Sequence, residues 1–166
     1  DSLYEEYIQP LIDPATTGID SDTFIKSFNE KNLNSLKNYP NFLQSITWER
    51  TYQRITIDDW PQAEVLQKHI NLLADEIPIP VNIGALATIK RARHLLREGG
   101  LGYTSMDYGM YSTQELNFLE RPYFNLYGGQ YTFMVNFELL RQWAVAEGFS
   151  SVEKEYQHSY VGRHLQ

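Results

Sequence analysis

The chain has 166 residues, of which 42% are hydrophobic and 21% charged, which is enough for one globular domain and excludes wholesale disorder. Its 14 basic and 21 acidic residues give a net charge of −7, so we expect no nucleic-acid partner. Without cysteine there is no disulfide or thiolate chemistry, and no apolar run approaches the roughly 20 residues that span a bilayer. No signal-peptide pattern follows Asp1, so we expect a cytoplasmic protein with no membrane partner, excised from a longer chain.

The first 45 residues alternate short helical patterns with helix breakers. Leu3, Tyr7 and Leu11 recur at helical spacing, and Asp20 is a favourable N-cap for a following helix. No catalytic signature lies in this region. We therefore expect residues 1–45 to form a helical cover or lid segment.

The next segment contains a strand pattern and then a helix pattern. Residues 46–57 are rich in β-branched and aromatic side chains, which favours a strand, or a short helix followed by a strand. Asp59 then predicts a helix N-cap, and Gln62 completes a capping box. His69 lies on this helix without an acidic or histidine partner at ligand spacing, so we expect it at the surface.

A helix, a glycine pair and a strand follow in the order of half a βαβ unit. Asn82 can cap a helix that ends at Gly99-Gly100, and Leu101–Asp107 is predicted as a short buried strand. Residues 110–130 lack a long period, which indicates an irregular insertion over a cleft. The order of these elements predicts an α/β fold.

The last part of the chain contains one clear helix. An amphipathic pattern predicts this helix from Phe137 to Gly148, after a brief extended segment at Tyr131–Val135. Weak alternation from Phe149 to Tyr160 predicts a final strand.

Two segments resemble class I S-adenosylmethionine-dependent methyltransferases. In His94–Tyr108, as in those enzymes, a helix ends in a Gly-Gly turn and the next strand ends in an acidic residue, and Phe137–Phe149 is similar to their following helix. Within the class, the pattern is most similar to the MidA-like family. The matching segments are Val81–Leu86, Met106–Gly109 and Gly129–Phe137. Tyr131 and Asn136 stand where that family typically has acidic residues.

The resemblance implies a particular fold and cofactor. Residues 46–166 would form the C-terminal portion of a Rossmann-like methyltransferase sheet, with residues 1–45 as its cover. The complete protein would use S-adenosylmethionine to methylate a protein arginine side chain. Methyltransferases of this class bind that cofactor at a glycine-rich turn, and no G-x-G-x-G occurs in this chain. We therefore expect no cofactor binding by this fragment alone, and its first partner would be the upstream methyltransferase half.

Asp107 and Tyr108 are the candidate catalytic residues. They stand at the predicted C-terminal end of a strand, the edge where α/β proteins bind ligands. A carboxylate there could orient a substrate amine or accept a proton, or it could only cap backbone amides. His158 and His164 could join Asp107 at a metal ion, but nothing in their spacing demands one, so no metal site is predicted.

Several residues in or beside the irregular insertion are candidates for substrate binding. Methyl transfer depends mainly on positioning, for which aromatic walls and a few hydrogen-bonding groups suffice. The alternative is that these side chains only pack the insertion against the sheet edge. The candidates are Tyr111, Tyr127, Gln130 and Tyr131, with Tyr123 beside them.

Three functions remain open from the sequence. The first is the substrate-side half of a methyltransferase that acts on a protein or small-molecule acceptor. The second is a catalytically inert, methyltransferase-derived interaction or scaffold domain, which the missing glycine motif favours. The third is part of a methyltransferase in a multidomain enzyme that acts on a small or carrier-bound substrate.

Overall fold

The computed structural model describes residues 3–37, 39, 45–100, 102–117, 124–127 and 130–164. These residues form a mixed α/β structure. The chain divides into an N-terminal unit, Asp1–Thr56 with Leu126–Gln130, and a C-terminal unit, Ile57–Asn125 with Tyr131–Gln166. Among the described residues, none of the helices combines the length and the apolar character needed to span a bilayer.

The N-terminal unit consists of a two-stranded antiparallel ribbon and short helices. The strands pair along their whole length, from Leu3 opposite Ile55 to Leu11 opposite Thr47. A small core of Ile12, Ile19, Phe24 and Leu36 is buried in this unit. Its elements are β1 (Leu3–Leu11), α1 (Pro14–Thr17), α2 (Ser21–Asn29), a 3-10 helix (Leu33–Leu36) and β2 (Thr47–Ile55).

The prediction of a helix at the start of the chain is wrong. Leu3, Tyr7 and Leu11 lie in strand β1, so residues 1–45 are not a purely helical cover. A spacing of four residues is compatible with both structures, because it keeps side chains on one face of a helix and also on one face of a strand. Pairing with the distant β2 decides between them.

Two other predictions for the N-terminal unit are confirmed. Residues 47–55 form strand β2, as the strand pattern predicts, and the described residue directly before it, 46, has no regular secondary structure. Asp20 is the N-cap of α2, and its Oδ1 accepts a hydrogen bond from the Thr23 backbone N–H at 2.8 Å. An Asp in extended conformation is well suited to this role, because it satisfies one of the free N–H groups of the first turn.

The C-terminal unit is mainly helical. Its core lies between three of the helices, where the described buried residues are Leu66, Leu86, Ile89, Leu139, Leu140, Trp143 and Ala144. In chain order, the elements of residues 57–117 are a 3-10 helix (Ile57–Asp59), α3 (Ala63–Ile70), α4 (Ile83–Leu95), β3 (Gly109–Met110) and α5 (Thr113–Asn117). The remaining elements of the chain are β4 (Phe124–Tyr127), β5 (Gln130–Phe133), β6 (Val135–Asn136), α6 (Phe137–Ala146) and α7 (Gln157–His164). Of these, Leu126 and Tyr127 of β4 and Gln130 of β5 belong to the N-terminal unit.

The helix predictions hold with changed boundaries. Helix α4 begins directly after Asn82, and α6 begins at Phe137 as expected. The capping box at Asp59 is not formed, because Asp59 ends a 3-10 helix and the N-cap of α3 is Gln62. Gln62 has φ of 56°, a left-handed conformation that the sequence pattern does not reveal.

The predicted strand at Leu101–Asp107 is not formed. Leu101 lies outside the described residues, and 102–107 have no regular secondary structure. Tyr103 and Met106 are 43% and 57% exposed, so the segment is not the buried strand that was predicted. A strand needs a neighbouring strand that satisfies its backbone N–H and C=O groups. In this part of the chain, the described residues that pair in this way are Gly109 and Met110 of β3, whose partner is β6.

The predicted final strand is also not formed. Residues 149–156 have no regular secondary structure, and 157–164 form helix α7. Weak alternation without a partner strand does not fix an extended structure. In the described part of the chain every sheet has two strands, β1 with β2, β3 with β6, and β4 with β5.

Candidate functional site

The parallel pair of β3 and β6 brings two distant motif segments together. Gly109 lies opposite Val135, and Met110 lies opposite Asn136. The Val135 backbone N–H also donates a hydrogen bond of 3.0 Å to the carbonyl of Tyr108. The Asp-Tyr-Gly segment and the Val-Asn-Phe segment are therefore neighbours in the fold.

Gly109 makes this approach possible. A Cβ atom at this position would lie 2.1 Å from the Val135 carbonyl oxygen and 2.9 Å from a ring carbon of Phe137. Both distances are shorter than van der Waals contact, and the first is to backbone that cannot move aside without breaking the pair. Only glycine fits here, so the Gly of the Asp-Tyr-Gly motif has a packing role.

Asp107 and Tyr108 lie exposed beside this pair. Asp107 precedes β3 and does not close a strand, which differs from its predicted position. Its Oδ1 accepts a hydrogen bond of 2.7 Å from the Tyr108 backbone N–H, the local capping contact of the alternative interpretation. The Tyr108 side chain is 81% exposed, so both candidate catalytic side chains are accessible to a substrate.

Tyr111 is the centre of a cluster that we call the tyrosine–lysine cluster, made of Tyr111, Glu115, Glu138, Lys154 and Tyr156. The Tyr111 hydroxyl donates to the carbonyl of Lys154 at 3.0 Å, and the Tyr111 N–H donates to a Glu115 carboxylate oxygen at 2.5 Å. The Lys154 ammonium lies 4.7 Å from the centroid of the Tyr111 ring, which indicates a cation–π contact. Through these contacts, Tyr111 links the segment before α7 to α5.

The ring of Tyr111 also stacks on Tyr156. Their centroids are 4.7 Å apart with an interplanar angle of 16°, and the Tyr156 hydroxyl donates to Glu115 at 3.1 Å. His158 stacks on the Tyr156 ring with centroids 5.6 Å apart. The sequence pattern indicates Tyr111 but not its partners Lys154 and Tyr156, which lie more than 40 residues further along the chain.

Glu138 is the carboxylate of the cluster that forms an ion pair with Lys154. Its carboxylate accepts hydrogen bonds from Arg141 at 2.7 Å, from Gln142 at 3.1 Å and from the Lys154 ammonium. Burial alone would raise the pKa of Glu138, but the hydrogen bonds from Arg141, Lys154 and Gln142 lower it to about 2. Glu138 is therefore ionised at neutral pH and acts as an anchor between α6 and the C-terminal segment.

Asn136 lies fully buried at the start of α6. Its Oδ1 accepts from the Leu139 N–H at 3.1 Å and so caps the helix, while its own N–H donates to Asn82 Oδ1 at 2.9 Å. Its Nδ2 donates to the carbonyl of Pro80 at 3.3 Å and lies 3.1 Å from Nε2 of His69. The side chain at this motif position is thus used in structural hydrogen bonds.

His69 is fully buried, so its predicted surface position is wrong. The Pro80 carbonyl can only accept, so the atom of Asn136 that contacts both it and His69 is the donor Nδ2, and Nε2 of the ring accepts the hydrogen bond. The ring is therefore neutral, and burial lowers its pKa against the opposing charge of Glu138. The spacing of three residues from buried Leu66 is the sequence signal that would have placed His69 on the inner face of α3.

For the other predicted substrate residues that the structure describes, it gives the position of the backbone. Tyr127 ends β4 in the N-terminal unit, where Gln130 begins β5, and Tyr131 follows in the C-terminal unit. Tyr123 lies outside the described residues. Tyr111 is therefore the predicted substrate residue whose contacts the structure defines.

Metal ligation has no support in the described part of the chain, where no three His, Asp or Glu side chains converge on a common point. His158 contacts an aromatic ring, as given above.

No protein-family model, curated protein or solved structure matches this chain. The methyltransferase resemblance therefore rests on the motif segments themselves, and function has to be inferred from those segments and their geometry.

Proposed function

We propose that this chain is the substrate-side half of an S-adenosylmethionine-dependent methyltransferase, contributing the C-terminal portion of a Rossmann-like sheet. The observation that supports the proposal is the parallel pairing of β3 with β6, because it joins the two segments that carry the family resemblance. Parallel pairs are characteristic of α/β folds, which bind ligands at one edge of the sheet.

The exposed residues before β3 also support an incomplete sheet. Tyr103 and Met106 are apolar side chains in a segment whose sequence favours a strand, and no described strand pairs with it. In the complete protein, a strand from the upstream half would pair with residues 101–107. Asp107 would then stand at the end of a strand, at the edge of the sheet.

This chain's residues do not fit the cofactor by themselves, because they contain no glycine-rich turn. Their task in the proposal is to bind and orient the acceptor. The carboxylate of Asp107 would hold a cationic guanidinium by charge-assisted hydrogen bonds, and the exposed ring of Tyr108 would cover it. The net charge of −7 favours such a cationic substrate over an anionic one.

The test uses a longer chain that includes the upstream sequence of the parent protein. Calorimetry should show that this chain binds S-adenosylmethionine and that the 166-residue fragment does not. In a methylation assay with an arginine-containing protein, Asp107→Asn should lower turnover by about 100-fold or more and leave cofactor affinity unchanged. The control Asp75→Asn, at another exposed carboxylate, should retain full turnover.

One result would contradict the proposed function, and another would contradict only the role of Asp107. A longer chain that fails to bind the cofactor would end the enzyme interpretation. Unchanged turnover of Asp107→Asn would remove Asp107 from the site while leaving the methyltransferase assignment in place.

An inert interaction domain is the second candidate function. It is favoured by Asn136, which stands where the family has an acidic residue and whose side chain is fully buried in structural hydrogen bonds. Such a side chain offers nothing to a substrate. An upstream sequence without a strand followed by G-x-G-x-G would decide for this candidate.

A further inference from the structure

A groove of about 570 Å³ opens to solvent between α3 and α6, and its lining includes neither Asp107 nor a residue of β3 or β6. Its apolar surface is formed by Val65 and Leu72 on one side and by Val145 and Ala146 on the other. Lys68 and Arg141 also line it, one on each helix. All of these residues belong to the C-terminal unit.

The apolar residues of this groove are unusually open for side chains on packed helices. Leu72, in the turn after α3, is 58% exposed, and Val145 on α6 is 52% exposed, although both helices bury their other faces in the core. Leaving such side chains in water costs about 1.5–3 kcal/mol each relative to burial, so a contiguous set marks an interaction surface.

The charge of the groove is opposite to that of the chain. Its charged lining residues are Lys68 and Arg141, and its lining includes no carboxylate, whereas the whole chain carries −7. Arg141 is ion-paired with Glu138 at 2.7 Å, so the cation of the lining for which the described residues give no ion pair is Lys68. A partner with apolar residues flanked by carboxylates would complement both features.

We propose that the groove between α3 and α6 docks an amphipathic helix of a partner protein, with apolar residues on one face and Asp or Glu residues beside them. An apolar helix face laid into a groove between two helices is a common recognition mode, read by residues at i, i+3, i+4 and i+7. Lys68 would select acidic flanks and speed association. This docking is independent of the proposed methyl transfer.

The experiment is fluorescence anisotropy with two labelled helical peptides of about 18 residues. Both carry Leu at i, i+3, i+4 and i+7, and they differ in having Glu or Lys flanks. The complete 166-residue chain should bind the Glu-flanked peptide at least tenfold more tightly, with an affinity that falls as salt is raised.

Matched variants locate the binding. Val145→Asp should weaken the Glu-flanked peptide about tenfold or more, whereas Leu95→Asp, at an exposed apolar residue of α4, should not. Lys68→Glu should reduce the preference for Glu flanks, and Lys90→Glu, on the exposed surface of α4, should leave it unchanged. Because all four positions are exposed, circular dichroism should show unchanged folding.

Three results would overturn the proposal: no binding of the Glu-flanked peptide, equal binding of both peptides, or unchanged affinity of Val145→Asp. Light scattering adds one more decisive measurement. A dimer that Val145→Asp dissociates would identify a second copy of this chain as the occupant and would refute the proposed partner.

Discussion

At the scale of single residues, Gly109 shows how a motif residue acts through packing. The Asp-Tyr-Gly segment is a candidate site because of the carboxylate of Asp107 and the phenol of Tyr108. The structure adds that the glycine lets β3 approach β6, since any side chain would meet the Val135 carbonyl. The motif thus combines an exposed polar pair with a backbone contact that positions it.

Gly109→Ala is expected to destabilise the protein by about 1–3 kcal/mol, because overpacking against fixed backbone forces β3 away from β6. Urea unfolding followed by circular dichroism would measure this loss. The control is Gly84→Ala in α4, where an added Cβ meets no atom within 4 Å. It should be neutral or stabilising by up to about 1 kcal/mol. Equal effects of the two substitutions would contradict the packing role.

His69 and Asn136 show what residue-level reasoning missed. Both are fully buried and joined by a hydrogen bond of 3.1 Å, although they are 67 positions apart in the chain. A histidine without nearby ligands looks like a surface residue in the sequence. The helical period predicts that His69 lies on the apolar face of α3, but no local pattern predicts its partner Asn136.

At the scale of elements, the Glu138 carboxylate links α6 to the segment before α7. It lies in the first turn of α6 and holds Lys154, whose ammonium also donates to the Tyr111 carbonyl at 2.5 Å. Three pieces of chain therefore meet at one charge pair. If one member of the pair is removed, the other charge stays unpaired in a partly buried position. The free-energy cost of that unpaired charge exceeds the stabilisation that the pair itself contributes.

Glu138→Gln is expected to lower the free energy of unfolding by about 2 kcal/mol at pH 7. The folded pKa of Glu138 is about 2 and its ordinary value is 4.5, so this stabilisation is complete above pH 4.5 and is lost as the pH falls towards 2. The difference between wild type and variant should shrink over that range. Urea unfolding at several pH values would measure it.

The control is Glu153→Gln, an exposed carboxylate in the same C-terminal segment. It should change stability by less than about 0.5 kcal/mol at every pH. A difference for Glu138→Gln that stays constant down to pH 2.5 would show that its charge is not the stabilising feature.

At the scale of the whole molecule, the chain has two separate cores. One consists of Ile12, Ile19, Phe24 and Leu36, and the other is formed around Trp143. Because these two clusters share no described residue and each lies within one unit, a core mutation in one unit should act mainly on that unit.

Phe24→Ala is expected to destabilise the N-terminal unit by about 3–5 kcal/mol, since it empties the centre of that core. Hydrogen exchange with mass spectrometry should show faster exchange in β1, β2 and α2, and unchanged protection in α4 and α6. Phe28→Ala is the control, because Phe28 is on the same helix but exposed. A uniform loss of protection over both units would contradict the separation.

The sequence alone determined the helices with clear caps and periods, because these depend on neighbours within four residues. Asp20 before α2, Asn82 before α4 and the start of α6 at Phe137 are examples. It also determined the mixed α/β class and the candidate residues Asp107, Tyr108 and Tyr111.

Only the tertiary structure decided which segments became strands and which side chains became buried. Leu3–Leu11 is a strand because β2 pairs with it, and residues 102–107 are not, because no described strand does. Strand pairing and the burial of His69 depend on contacts between distant segments, and a local pattern does not contain the energy of those contacts.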